Sequence, residues 1–502
     1  MELELDDYIK GDKLKYKTML KARVEEFYNE CHVEKGQFGE KNDPSCGQRL
    51  ATAKPQGVAG RAYHAGLGPK MDVGLITDPI SVVRRQAQVP GFEDLKGIRS
   101  LVKAKAALET IIQRQTDNIV EYADIVVGSN RKVADAYADW YPFSHNYITS
   151  LAHQNGVSEE GAIAATAVLS ASAAWESNVP WAKYLVENLG EGKGPGSNTG
   201  KYQTVDKSWV AGQATAALAS WKANKLKTEK AGREYKTPIP EVDKYSHLIG
   251  KQLNSLTDTE VAVALRGKHE SGATGKGAEG KLVTQLGSEI HAGFGTKGKG
   301  TIPQSLPNMV KAVSVLRDPS AENIDKRIGD QNKVRSFYQN LRAPKDTEFS
   351  DVTADTHHFG VANHAPWTMS SGFVGGGTGA SKDVVSTPGN AKTGALGTYP
   401  LVVEATRRAT TQINKKYRTN YTPNQIQSIV WEHHKNYYPP RLRTNKEMQQ
   451  SIALANTAFA KGEISKTERE ARINAARARA STGETKAPTV EELRARYVRG
   501  EL

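Results

Sequence analysis

The stretch from Ser158 to Gly190, SEEGAIAATAVLSASAAWESNVPWAKYLVENLG, constrains the fold more than any other. Its middle, AIAATAVLSASAAW, is small and apolar on every side of a helix. Such a helix must be buried all round, so other helices must cover it. Ser158 is a good N-cap, and Glu159 and Glu160 sit in the first turn, where the positive helix end favours acids. The pattern predicts one central helix starting at that cap. Its cover comes from segments with helical spacing: ADAYADWYPFSHNYITSLAHQNG (134–156), SLVKAKAALETIIQRQ (100–115), GTIPQSLPNMVKAVSVLRD (300–318), NKVRSFYQNLRAP (332–344) and YPLVVEATRRATTQINKKYRTN (399–420). In YTPNQIQSIVWEHHKNYYPPR, Thr422 caps, Pro423 suits the first helical position, and Ile426, Ile429 and Val430 form the buried stripe. No internal repeat is visible. The class is mainly α.

With 502 residues the chain has material for roughly three domains of about 150 residues. Residues 1–125 read as a mixed extension, with a helix near Tyr16–Tyr28 and a glycine- and proline-rich stretch at 47–79. Residues 126–440 form the helical core, carrying a Gly/Lys-rich insertion at 266–300. That insertion can lie against phosphates or simply be a solvated loop. A second glycine-rich run, GFVGGGTGASKD (372–383), lacks the order of a phosphate-binding loop. Residues 441–502 form a basic helical tail, whose segment SKTEREARINAARARAS reads as solvated or partner-dependent.

The net charge of +13 favours a polyanionic partner, though a soluble protein can also simply be basic. Only Cys31 and Cys46 are present, too few for a four-cysteine zinc or iron–sulfur site. No apolar run approaches the ~20 residues of a membrane span. The first residues lack the apolar centre of a signal peptide. A soluble protein of a reducing compartment is expected.

The segment DVTADTHHFGVA (351–362) raises the functional question. Val352, Thr353 and Ala354 are extended in character and run into Asp355, which can cap a helix whose Phe359, Val361 and Ala362 face a core. Capping alone explains an acid there. A fixed anion can also stabilise a cationic, oxocarbenium-like transition state, or orient a nucleophile. The histidines do not suggest a metal: His358 and His364 are six apart, without the i, i+4 spacing of a helical pair. No cofactor is implied.

Lys333, 22 residues before Asp355, stands at the start of the helix in RIGDQNKVRSFYQNL. A lysine opening a helix, then an extended run ending in Asp-x-His, resembles the catalytic segment of the helix–hairpin–helix DNA glycosylases, the superfamily of endonuclease III. The resemblance implies a helical glycosylase-like core, with Asp355 as the catalytic carboxylate, Lys333 as the amine nucleophile of bifunctional members, and His357 as the histidine of the Asp-x-His pattern. The family's hairpin has two glycines around an apolar residue; here only Gly329 stands in place. Its iron–sulfur cysteines are absent. The ordered series Trp140-Tyr141, VLSASAAWESNVPWA, KVRSFYQNL, VTADTHHFGVA and TPNQIQSIVWEHHK also resembles a family of uncharacterised bacteriophage and bacterial proteins. That likeness implies viral kinship, and a setting in the bacterial cytoplasm or the virion.

Two further pairs bear on a pocket. Trp175 and Asn178 are one helical turn apart and could stack on and read a flipped base, or serve as a core anchor and a helix-end hydrogen bond. Gln427 and Trp431, at i and i+4, could line the same pocket. The resemblance implies a DNA partner, a duplex with one nucleotide flipped out, and chemistry at an N-glycosidic bond or a modified base. The alternative is a non-catalytic nucleic-acid-binding or virion-associated protein that retains the fold.

Overall fold

The structure is a computed structural model describing residues 73–76, 78–171, 175–236, 238–239, 245–273, 306–329, 332–345, 351–368, 374 and 398–482. All belong to one compact unit, Gly66–Leu502. The expected helix at 16–28, both cysteines, most of the Gly/Lys-rich insertion and nearly all of 372–383 lie outside the described residues.

Among the described residues regular structure is helical, with one isolated bridge between Thr204 and Gln252. The chain runs through α1 (Pro79–Gln86), α2 (Leu101–Ser129), α3 (Arg131–Ala138) and α4 (Trp140–Asn155). Next come α5 (Glu159–Leu169), α6 (Trp175–Leu189), α7 (Lys207–Lys230) and α8 (Asp258–Ala273). The connected helices α9 (Leu306–Arg317), α10 (Ala321–Ile328) and α11 (Asn332–Arg342) precede α12 (Thr356–Ala362) and α13 (Thr398–Tyr417). The last are α14 (Pro423–Tyr437), α15 (Pro440–Arg443), α16 (Lys446–Ala460) and α17 (Lys466–Thr482). The helix α2 runs through residue 125 without a break.

Three apolar clusters organise these helices. One is built on α4, α5, α6, α8, α9, α10 and α11. A second joins α1, α2, α3, α12, α13 and α14. A third, smaller cluster links the end of α14 to α15, α16 and α17. Burying side chains such as Ile163, Leu169, Ile426 and Ile429 completely is worth about 1.5–3 kcal/mol each relative to exposure.

The central segment departs from expectation. It begins at the Ser158 cap, whose hydroxyl accepts the Gly161 N–H, and α5 is buried on every side. However, the helix stops at Leu169, and a second helix starts at Trp175. Local sequence does not demand this stop. Ser170 Oγ turns back to the Ala167 carbonyl, a side-chain bond that competes with helix continuation. Small residues do allow close approach: a Cβ on Gly161 would lie 2.8 Å from the Val315 carbonyl of α9.

The extended segment before α12 threads between the first two clusters. Ser336 Oγ donates to Asp351 Oδ2 at 2.8 Å, and Asn340 Nδ2 donates to Thr353 Oγ1 at 3.0 Å. Both donors are on α11. From α13, the Tyr399 hydroxyl donates to the Val352 carbonyl and accepts the Ala354 N–H. The buried strip is therefore held to α11 on one side and α13 on the other. That fixes the register between the start of α11 and the start of α12.

In the described part of the basic C-terminal segment, which the sequence reads as solvated or partner-dependent, α16 and α17 dock on the rest of the unit along one face. Arg469 of α17 is 4% exposed and donates to Glu121 of α2 at 2.6 and 2.8 Å. Asn456 Nδ2 of α16 donates to the His364 carbonyl, and the Arg477 guanidinium lies 3.1 Å from the Tyr437 ring centroid. An alanine- and arginine-rich composition reads as solvent-facing, but these arginines have carboxylate and aromatic partners within the same unit.

Candidate functional site

Asp355 is the N-cap of α12, as its position in the sequence predicts. Its Oδ1 accepts the backbone N–H of His357 at 2.9 Å and of His358 at 3.1 Å. Its Oδ2 accepts the indole N–H of Trp431 at 2.9 Å. Both oxygens are thus held by N–H donors, and the carboxylate plane is fixed by α12 and α14 together. Behind the cap, Phe359, Val361 and Ala362 are fully buried. A Cβ on Gly360 would meet the His434 ring at 2.8 Å, so only glycine lets α12 press this closely on α14.

Lys333 reaches the site from the first turn of α11. Its Nζ donates to the Ser170 carbonyl at 2.9 Å, an orphan acceptor at the C-terminal end of α5. The break in the central segment therefore has a consequence: it frees a carbonyl at the negative end of a buried helix to hold an ammonium. Burial lowers the Lys333 pKa from its ordinary value, and the Asp355 carboxylate acts in the opposite direction. A lysine so placed holds more neutral amine than one on the surface, which is the form that attacks carbon.

Aromatic rings flank the two groups. Trp140 of α4 meets Trp431 edge to face at 5.4 Å, with Phe337 of α11 6.0 Å from Trp140. The Lys435 ammonium sits over Trp431, 4.4 Å from the ring centroid, and forms a 3.7 Å ion pair with Glu432. The His357 ring lies edge-on to Trp431 at 6.2 Å. Trp140 and Phe337 belong to the first apolar cluster, whereas Asp355 and Trp431 stand on α12 and α14, helices of the second.

His357 and His434 share one hydrogen bond, Nδ1 to Nδ1 at 3.2 Å. One imidazole must donate and the other accept, so a second proton would set two N–H groups against each other. Burial first, and then the charges of Arg443, Lys435 and Lys333, keep His357 well below the usual histidine range. His434 is lowered too, by burial and then by His357. This pair continues inward to Tyr122, His433 and His364 through ring contacts of 5–6 Å. At the far end His364 Nε2 is 3.4 Å from Glu121.

The remaining candidates divide. Gln427 is buried, and its Oε1 accepts the Tyr141 hydroxyl at 2.8 Å, which ties α14 to α4. His358 Nε2 pairs with Thr406 Oγ1 at 2.7 Å, so this ring belongs to the core. Trp175 opens α6, but its side chain lies outside what the structure describes. Asn178 is 1% exposed, and neither polar atom of its amide makes a hydrogen bond with the described residues. No group of three or more metal-binding side chains occurs among the described residues.

An amide left unpaired in the interior costs about 1–3 kcal/mol. Replacing Asn178 with leucine should therefore raise the urea midpoint of unfolding, by an amount corresponding to about 1 kcal/mol or more. If the amide reads a ligand, the same variant should lose ligand binding. A variant both more stable and fully functional would remove Asn178 from the site.

Sequence reasoning missed Arg443, Lys435 and the Ser170 carbonyl. Lys435 carried a signal, since it lies four residues after Trp431 on the same helix face. For Arg443 the signal was the Pro439-Pro440 pair, which separates α14 from the short helix α15 that Arg443 ends. Nothing local marked Ser170. Comparison with protein-family models, with curated proteins and with solved structures finds no match.

Proposed function

We propose that the protein is a DNA glycosylase-like enzyme that acts at the N-glycosidic bond of a nucleotide flipped out of DNA, with a modified base as substrate. The observation that carries this reading is the pairing of Asp355, fixed through both oxygens, with a half-buried Lys333 whose amine is biased toward its neutral form. They arrive on separate helices and share one electrostatic environment. Extrusion of a nucleotide would bring its sugar to this pair and its base toward the aromatic rings of Trp140 and Trp431.

In this mechanism the Asp355 carboxylate faces the sugar as the glycosidic bond lengthens and stabilises the positive charge growing on C1′ and the ring oxygen. The departing base takes the bonding electron pair. Lys333, as the neutral amine, attacks C1′, forms a carbon–nitrogen bond, and passes a proton to solvent. The sugar ring then opens to an imine that water hydrolyses. Without that attack, water takes the place of the amine and the product is an abasic site. The setting in a bacterial host or virion, and the link to phage proteins, belong to this same proposal.

The test is borohydride trapping on duplexes carrying a panel of modified bases, with free base followed by mass spectrometry. The wild-type protein should release base and form a covalent adduct. Lys333→Gln keeps a donor for the Ser170 carbonyl, so it should fold normally and form no adduct. An adduct of undiminished yield with Lys333→Gln would remove the nucleophile from this mechanism. No base release from any duplex would favour a binding protein that retains the fold.

A further inference from the structure

His357 leaves the first turn of α12 two residues after Asp355. Its backbone N–H binds Asp355 Oδ1 at 2.9 Å, and its ring stands edge-on to Trp431, whose indole N–H holds Oδ2 at 2.9 Å. The carboxylate and the imidazole are thus built around one indole. The two ring nitrogens of His357 have unlike surroundings. Nδ1 lies 3.2 Å from His434 Nδ1. Nε2 makes no hydrogen bond with the described residues, and in this partly buried ring it is not sealed from solvent.

The far side of His434 decides where the shared proton sits, since tautomers are assigned from the hydrogen-bond network. That ring is fully buried, and its Nε2 makes no hydrogen bond with the described residues. The Ala365 carbonyl oxygen stands beside it: a Cβ on Gly360 would lie 2.6 Å from that oxygen and 2.8 Å from Nε2. A carbonyl oxygen repels the lone pair of a bare ring nitrogen and attracts an N–H, so it favours the tautomer protonated on Nε2. Then His434 Nδ1 is bare and accepts, His357 Nδ1–H donates, and His357 Nε2 carries a free lone pair. Burial keeps His357 neutral, so that lone pair is available at neutral pH. A proton arriving at Nε2 makes the bond from Nδ1 to His434 charge-assisted, and such bonds are roughly twice as strong as neutral ones. His434 therefore supports the cationic ring more than the neutral one.

We propose that His357 Nε2 is the proton acceptor for water attack at the Asp355 site, with His434 as the positioning residue that fixes its tautomer and steadies its cation. The assignment rests on the glycosylase-like reading for the reaction it serves. In that hydrolytic branch the water oxygen bonds to C1′ and its proton passes to Nε2. The electron pair of the bond from C1′ to the base leaves with the base. The imidazolium then returns the proton to solvent through the same open nitrogen.

The first arm of the experiment needs no substrate. Nitrogen NMR of the full-length protein, labelled at histidine and held at neutral pH, should show His357 protonated at Nδ1 and bare at Nε2, and His434 the reverse. A His357 ring protonated at Nε2 would be a donor and would overturn the assignment. The second arm follows base release in the Lys333→Gln background, where only water can attack. His357→Ala should lower the rate by about 10²-fold or more, the size of a general-base effect, and leave duplex affinity nearly unchanged. Added imidazole should restore part of that rate, which it would not do for a side chain that only supports the fold. His434→Gln offers an amide oxygen to the His357 Nδ1–H and should keep most of the rate. His434→Phe offers no acceptor and should lower kcat about tenfold with KM unchanged, since the charge-assisted bond is lost. Rates unaffected by His357→Ala, or a loss that imidazole does not relieve, would overturn the role. So would base release by the wild type that disappears altogether with Lys333→Gln, because no water branch would exist to serve. Tautomers as assigned in a protein that releases no base from any duplex would leave His357 as an acceptor and defeat the glycosylase reading alone.

Discussion

Asp355→Asn should lose at least ~10²-fold of any base-releasing activity, the effect typical of a group that assists charge development or proton transfer. Asparagine caps a helix about as well as aspartate, so capping alone would predict a change of a few tenths of a kcal/mol. The indole of Trp431 alters that expectation. In the native chain Oδ2 accepts from Nε1 at 2.9 Å, while Oδ1 serves the two backbone N–H groups. An asparagine that keeps the cap must turn its NH₂ toward another N–H. Two donors then face each other, which leaves the indole unpaired at a cost of about 1–3 kcal/mol. Activity lost in the single variant would therefore be ambiguous between chemistry and disturbed structure.

The double variant Asp355→Asn, Trp431→Phe separates the two. Phenylalanine removes the N–H and keeps a ring against Trp140, so stability should return toward that of Trp431→Phe alone. Activity should not return, because the carboxylate is still absent. A double variant as active as Trp431→Phe would show that Asp355 acts as a cap and nothing more. The coupling between the two positions, measured as a cycle, should be close to the energy of the lost hydrogen bond.

Local chemistry made much of this site legible. Ser158, Thr422 with Pro423, and Asp355 all stand where capping rules put them, and the stripe of Ile426, Ile429 and Val430 is fully buried. The Asp-x-His segment and the lysine before it pointed to Asp355 and Lys333, and the Asp355 carboxylate favours the charged form of Lys333. What could not be read depends on partners distant in sequence. The helix break at Ser170 is local only in its serine hydroxyl; its use depends on Lys333, 163 positions on. The bond from Trp431 to Asp355 spans 76 positions, and the docking of Arg469 on Glu121 spans 348. Arginine-rich composition cannot distinguish a solvated face from one that has found a buried acid.

Acid should unfold this protein well above the carboxylate range. His269, His358 and His433 are each pushed down to about 4 by burial, and His357, His364 and His434 are also lowered, again chiefly by burial. The unfolded chain takes up protons on these rings near pH 6.5, whereas the folded chain resists. Unfolding is therefore favoured as the pH falls below about 6.5, and the loss grows until about pH 4, where the folded rings titrate as well. A shift from 6.5 to about 4 corresponds to about 3 kcal/mol for each of the first three histidines. Three such terms approach the whole ~5–15 kcal/mol stability of an ordinary domain. Urea midpoints should thus be flat from pH 8 to 7 and fall steeply from 6.5 to 4.5. His433→Phe keeps the ring packing against Tyr122 and Tyr437, and should reduce the slope by up to about 1.4 kcal/mol per pH unit. A midpoint that stays level down to pH 5 would mean that these imidazoles protonate without leaving the fold, and that the buried histidine chain behind Asp355 is open to water.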